Sequence, residues 1–165
     1  MARNARSTEI ETLLGMIDQA YDHAAWHGPN LRSALRGVTA AEAAWRPAPG
    51  RHNIRELVIH AAYWKYAVRR RIEGGERGAF GERGSNWFAG RGGSDEAAWR
   101  QDLARLGAEH RALREAIAGV SPGSLRDTRK RVKGWKLIDQ IIGAAFHDIY
   151  HAGQIRLLKR LQQRT

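Results

Sequence analysis

The sequence of 165 residues contains no cysteine, and this absence excludes disulfide bonds, thiolate metal sites and a cysteine nucleophile. It has no Gly-x-Ser-x-Gly elbow of the serine hydrolases. Its glycine-rich segment lacks the strand-turn-helix setting and the Gly-Lys-Ser/Thr ending of a phosphate-binding loop. Any metal must therefore be held by nitrogen and oxygen atoms, and any thiol that reacts must be brought by another molecule.

Long apolar runs are missing as well. No segment approaches the length that spans a membrane, and the first residues lack the apolar core of a signal peptide. We therefore expect a cytoplasmic protein with no membrane partner, folded as a single domain over residues 1–165.

Acidic residues are scarce relative to basic ones, since 28 Lys and Arg against 17 Asp and Glu give a formal net charge of +11. Such an excess favours acidic partners such as nucleic acid or anionic metabolites. The basic residues are spread over the chain, and no combined aromatic and basic nucleic-acid signature accompanies them. We expect a solvated basic surface and a small-molecule substrate, for which the charge favours an anion, and no nucleic-acid partner.

Apolar residues recur at spacings of three and four in four long segments, and strand-like alternation is absent. The spacing predicts long helices over about 8–25, 53–73, 94–118 and 135–162, with short helical turns near 30–36 and 39–42. The fold class is therefore predicted as all-α, a four-helix bundle. The last helix is apolar on more sides than such a bundle buries, which favours a homodimer.

Residues 74–93 separate the second and third long helices and contain eight glycines. A connection of this length permits a crossover along the whole bundle, so these two helices could run parallel. The segment is either a disordered connector or a mobile flap, and Asn86-Trp87-Phe88 would give a flap something to dock with.

A histidine pair in the last helix is the most informative feature of the chain. His147 and His151 are four residues apart, so both imidazoles project from one helical face. His60 lies on the apolar face of the second long helix and is the best candidate for a third ligand. We predict a three-histidine metal site with an open position. Asp148 and Glu56 flank these residues and could orient an imidazole, but surface ion pairs are expected for both.

The remaining candidates have weaker support. Gln154 shares the face of the histidine pair and is expected to contact a ligand or a substrate, with a core amide as the alternative. His27 could line the mouth of a pocket or make a hydrogen bond at a helix end. His110 falls on the core seam of the third long helix, where a hydrogen-bonded core residue is expected. His23 and His52 are expected at the surface or in a structural role.

The sequence resembles the DinB/YfiT-like superfamily. The resemblance rests on His147-Asp148-Ile149-Tyr150-His151-Ala152-Gly153-Gln154-Ile155 preceded by His60 in Leu57-Val58-Ile59-His60-Ala61-Ala62-Tyr63-Trp64, and it covers most of the chain. It implies a four-helix bundle with the long crossover between helices two and three. It also implies a divalent ion, zinc or nickel, held by His60, His147 and His151 with water completing the shell.

The resemblance further implies a function. Members with known activity are thiol-dependent transferases or isomerases that use low-molecular-weight thiols such as bacillithiol or mycothiol. We therefore expect a metal-dependent enzyme, a thiol-dependent S-transferase or isomerase, whose basic surface suits an anionic thiol. The alternatives are a metal-dependent hydrolase and a non-catalytic metal-binding or stress-response protein.

Overall fold

The computed structural model describes residues 8–76, 80–82, 84, 86–88, 93–127 and 132–163. Within these residues the chain forms seven helices and no strand. The helices are α1 (Thr8–Tyr21), α2 (Leu31–Ala34), α3 (Ala40–Ala44), α4 (Ile54–Glu73), α5 (Glu96–Ala118), α6 (Pro122–Leu125) and α7 (Leu137–Gln162). The prediction of an all-helical protein is confirmed. No helix in the described part of the chain is long and apolar enough to cross a membrane.

The four long helices contact one another in a cycle. Helix α4 packs against α5 and α7, and α1 packs against the same two helices. The apolar core between them consists of two clusters of buried side chains. One is centred on α4 and extends to α2, α3, Phe80 and Phe88. The other joins α1, α5 and the first half of α7. Because α7 contributes to both clusters, one face of its middle turns lies inside the protein, whereas Phe146 and Tyr150 on another face are exposed.

The ends of the helices follow local sequence signals. Helix α4 begins with a capping box, in which the Asn53 side chain accepts from the Glu56 backbone N–H and the Glu56 carboxylate accepts from that of Asn53. It ends at Gly74, whose φ of 74° is the left-handed conformation that favours glycine. Helix α1 ends at Tyr21, four residues before the predicted boundary, because the Asn30 side chain instead binds the His23 carbonyl oxygen at 2.8 Å.

Candidate metal centre

Three histidines from two helices meet between α4 and α7. The Nε2 atoms of His60 and His151 each lie 3.0 Å from Nε2 of His147. All three nitrogens fall within 4.8 Å of one another. His60 and His151 are buried, and His147 is partly exposed. The structure therefore brings together the three residues that the predicted site requires.

Hydrogen bonds at the opposite ring nitrogens determine which nitrogen of two imidazoles carries a lone pair. Nδ1 of His60 lies 2.7 Å from the backbone carbonyl oxygen of Asn86. Nδ1 of His151 lies 2.6 Å from the amide oxygen of Gln154. A carbonyl oxygen only accepts, so each Nδ1 carries the proton and each Nε2 presents a lone pair. His147 Nε2 carries at most one proton, so it can donate to only one of these two lone pairs. The other lone pair then has no donor within the cluster.

The donor set fits a divalent transition metal. A tetrahedral ion with bonds of about 2.0–2.1 Å to nitrogen needs donor atoms about 3.3 Å apart, close to the 3.0 Å that separates His147 Nε2 from each of the other two Nε2 atoms. Neutral imidazole is a ligand that zinc and nickel both accept, and a three-histidine set leaves a coordination position for another molecule. One cation would satisfy all three facing nitrogens, which no arrangement of their own protons does.

Burial keeps the three imidazoles neutral. Desolvation is the main cause that lowers the pKa of His147 to about 3, with the neighbouring histidines adding to it. Desolvation likewise lowers the pKa of His151 to about 4 and lowers that of His60. Because a metal competes with protons for imidazole nitrogens, the lowered pKa values weaken that competition at neutral pH.

The glycine-rich connection contributes to the site. Besides its backbone contact to His60, Asn86 accepts a hydrogen bond from the Trp64 indole at 2.9 Å through its side-chain oxygen. The Trp87 ring is stacked between two imidazoles, 3.9 Å from His60 and 3.6 Å from His52. Phe88 is buried in the cluster centred on α4. The docking expected for residues 86–88 is thus present, and it is directed at a histidine of the site.

One comparison with known proteins identifies the family of the chain. The family model of the DinB superfamily matches residues 23–155. The chain belongs to the DinB superfamily. The resemblance seen in the sequence is therefore confirmed. Comparisons with curated proteins and with solved structures gave no match.

Two acidic residues of this DinB superfamily chain lie elsewhere than expected. Asp148 is not at the surface, since it is fully buried and forms an ion pair with the equally buried Lys65. Glu56 is buried too and binds Arg46 and, at 3.0 Å, His52 Nδ1. The prediction that Asp148 and Glu56 form ion pairs at the surface is therefore wrong, because both carboxylates are buried. Both side chains project from core-facing positions of their helices, where a carboxylate requires a partner.

The other candidate residues are spread over the molecule. Gln154 makes the contact to His151 that a role beside the site requires. His27 and His23 are exposed near the end of α1, so His27 lies on the surface. His110 is buried on α5, with its ring stacked 3.8 Å from that of Tyr21. Within the described residues its Nδ1 has no hydrogen-bond partner, contrary to the expected hydrogen-bonded core residue.

A cavity of about 750 Å³ adjoins the three-histidine cluster at His147. It lies between α4, α7 and the turn at residues 132–135, and His147 forms part of its wall. Its size falls within the range of sites for small organic molecules, about 300–1,000 Å³. No sequence pattern predicts this cavity, because its walls come from three separate segments of the chain.

Proposed function

We propose that the protein is a divalent-metal-dependent enzyme that acts on a small molecule with a low-molecular-weight thiol as co-substrate, as an S-transferase or isomerase. The convergence of three imidazole Nε2 atoms beside a cavity supports the proposal. His60, His147 and His151 are the proposed ligands, and zinc or nickel is the proposed ion. Cytoplasmic localisation remains a prediction.

Each group in the site has a proposed task. A divalent ion bound there supplies Lewis acidity, which lowers the pKa of a coordinated thiol or water. Asn86 and Gln154 hold two imidazoles in the tautomer that presents Nε2. Trp87 covers the face of His60 and limits the access of water to it. The chain has no thiol of its own, so the nucleophile of a transferase would come from the co-substrate.

The fold supports a finer assignment as well. We propose that α1, α4, α5 and α7 form a four-helix bundle in a single domain over residues 1–165, with the crossover between α4 and α5. The cyclic contacts of these helices and the long connection after Glu73 support this topology. In such a bundle, sites are built from side chains on facing helices, as on α4 and α7 here.

We also propose a homodimer in which α7 faces its symmetry mate. Tyr150 and Leu157 are each more than half exposed, and their spacing of seven residues places them on one side of the helix. Exposed apolar stripes of this kind mark association surfaces. Sedimentation velocity should give the mass of a dimer, and a monomer at micromolar concentration would contradict the proposal.

The experiment that tests the enzymatic proposal measures turnover of 1-chloro-2,4-dinitrobenzene by zinc- or nickel-loaded protein with and without a small thiol. We expect turnover that requires both the metal and the thiol and is lost in His147→Ala. The His23→Ala variant is the control, since His23 is exposed and its ring contacts Asp22. Metal-dependent turnover that is indifferent to thiol would favour hydrolysis. Stoichiometric metal without turnover would favour a non-catalytic metal-binding protein.

A further inference from the structure

The walls of the cavity beside His147 are mostly apolar and aromatic. They include Trp64 and Val68 from α4, Trp135 from the turn, and Ile142 and Phe146 from α7. The rings of Trp135 and Phe146 are both about two-thirds exposed, at 64% and 65%. Exposed aromatic rings around a concave site supply a large contact area for a flat apolar molecule.

The polar groups of the cavity have an excess of positive charge. Arg71 and Lys133 line it, and Asp139 is the acidic residue among its lining side chains. The Asp139 carboxylate accepts from the Lys136 backbone N–H at 2.9 Å, where it caps the start of α7. Arg71 donates to the Gln140 side chain at 2.9 Å, and its guanidinium lies 5.9 Å from the centroid of the Trp64 ring. The cavity therefore complements a ligand that carries negative charge.

Trp64 belongs both to the cavity wall and to the surroundings of two of the three histidines. The Trp64 ring meets those of His60 and His147 edge-on, with centroids 6.4 Å and 6.2 Å away. His147 itself contributes to the cavity wall. A molecule bound against Trp64 would thus lie next to the proposed metal ligands.

We propose that this cavity binds the substrate of the metal centre, and that the substrate is an organic anion with a flat apolar body. The body lies against Trp64 and Phe146 beside His147, and the carboxylate or sulfonate group points to Arg71 and Lys133. The role as substrate rests on the proposed function above, whereas the binding itself requires only the cavity.

A glycine in the wall allows the cavity to be filled without disturbing the fold. Gly143 lies within α7, and a Cβ atom added there would meet no other atom within 4 Å. We expect Gly143→Leu to occupy the cavity, and a helical glycine replaced by leucine also gains helix propensity. Gly15→Leu is the matched control, because Gly15 lies within α1 and its Cβ would likewise meet nothing within 4 Å.

The first measurement titrates metal-free protein with 8-anilinonaphthalene-1-sulfonate and follows its fluorescence. We expect one equivalent to bind wild type and Gly15→Leu alike, and Gly143→Leu to raise the dissociation constant by about tenfold or more. Equal binding by Gly143→Leu and wild type would overturn the proposed site.

The second measurement tests the charge of the ligand. N-phenyl-1-naphthylamine has the same aromatic body without the sulfonate. We expect Lys133→Gln to weaken binding of the sulfonate about threefold and to leave binding of the neutral amine unchanged. An identical response of the two probes would overturn the assignment of an anionic substrate.

Zinc uptake by the same samples separates this proposal from the proposed function. Gly143→Leu should take up zinc as wild type does, since the three histidines are unchanged. Probe binding sensitive to Gly143→Leu in a protein that takes up no zinc would reject the metal-dependent function but retain the ligand site. Zinc uptake together with probe binding insensitive to Gly143→Leu would overturn the ligand site alone.

Discussion

Two regions of the molecule bury histidine in different ways. In the three-histidine cluster, Nε2 atoms from α4 and α7 face one another, and two of the rings are fixed by acceptors at Nδ1. The second region, here called the buried ionic cluster, consists of Tyr21, Lys65, His110 and Asp148. There Lys65 pairs with Asp148 and lies 5.0 Å from the Tyr21 ring, on which His110 stacks.

The comparison shows that burial of histidine alone does not make a metal site. Desolvation lowers the pKa of His110 and of His147 to about 3 in both cases. Among the described residues, however, no second imidazole contacts His110, and the carboxylate oxygen nearest to its Nε2, on Asp18, lies 3.9 Å away. Convergent lone pairs, and not the lowered pKa, distinguish the candidate metal centre from the buried ionic cluster.

The largest expected effect is the loss of bound metal when one histidine of the three-histidine cluster is replaced, in contrast to replacement of His110. Replacing His60, His147 or His151 by Ala should reduce zinc or nickel from about one equivalent to less than about a tenth, since each change removes one of three protein ligands. His110→Ala should retain the metal, although the cavity it leaves would destabilise the core. Elemental analysis of untagged protein measures both outcomes. If His110→Ala lost the metal and His60→Ala kept it, the third ligand would come from α5.

The next effect concerns the stability of the buried ionic cluster. Lys65→Met would leave the Asp148 carboxylate buried without its partner, at a cost of about 3–5 kcal/mol in the free energy of unfolding. The double variant Lys65→Met with Asp148→Leu should recover most of that loss, because an apolar pair of similar volume needs no desolvation of charge. Urea denaturation of the metal-free protein measures both variants. A loss below about 1 kcal/mol in the single variant would contradict a tightly coupled pair.

The pH dependence of stability sharpens the comparison at His110. Desolvation and then Lys65 lower its pKa in the folded protein to about 3, whereas the unfolded chain has a value of about 6.5. Between these values only the unfolded state binds the proton. The contribution of neutral, buried His110 to the free energy of unfolding is therefore fully present above about pH 6.5. As the pH falls from there towards 3, the free energy of unfolding decreases by about 1.4 kcal/mol for each pH unit.

The variant His110→Phe keeps a ring beside Tyr21 and removes the titrating group. Urea denaturation at pH 7, 6 and 5 should show a smaller loss of stability with falling pH than in wild type. The three ligand histidines remain in both proteins, so the difference between the two slopes isolates His110. Parallel slopes would show that His110 titrates alike in the folded and unfolded states.

Much of the candidate site could be predicted because helical spacing carries three-dimensional information. The separation of four residues between His147 and His151 fixes a shared face, and the apolar neighbours of His60 place it inside. The partners of these histidines were harder to predict. Residues 86–88 follow no helical period, so nothing in the sequence specifies that Asn86 binds His60 or that Trp87 stacks on it.

The buried ionic cluster did leave a signal that the sequence analysis missed. Lys65 stands between Ala61 and Val68 at the spacing of a core-facing stripe, and Asp148 stands in the same way between Ala144 and Ile155. A charged residue at such a position in each of two helices suggests a buried pair. The all-helical class was predictable from local periodicity, whereas the pairing of Lys65 with Asp148 depends on which helices become neighbours.

The smallest predicted effect concerns the hydrogen bond that fixes one ligand. Gln154→Leu removes the acceptor 2.6 Å from His151 Nδ1, so His151 would no longer be held in the tautomer that presents Nε2. We expect metal to bind still at one equivalent, with an affinity about 10–100-fold lower. Gln154→Glu keeps an acceptor and should restore the affinity, which a purely structural role of the amide would not explain. Gln140→Leu is the control on α7, since Gln140 binds Arg71. Competition with a chromogenic zinc chelator measures the three variants, and equal affinity in Gln154→Leu and wild type would show that His151 needs no fixed tautomer.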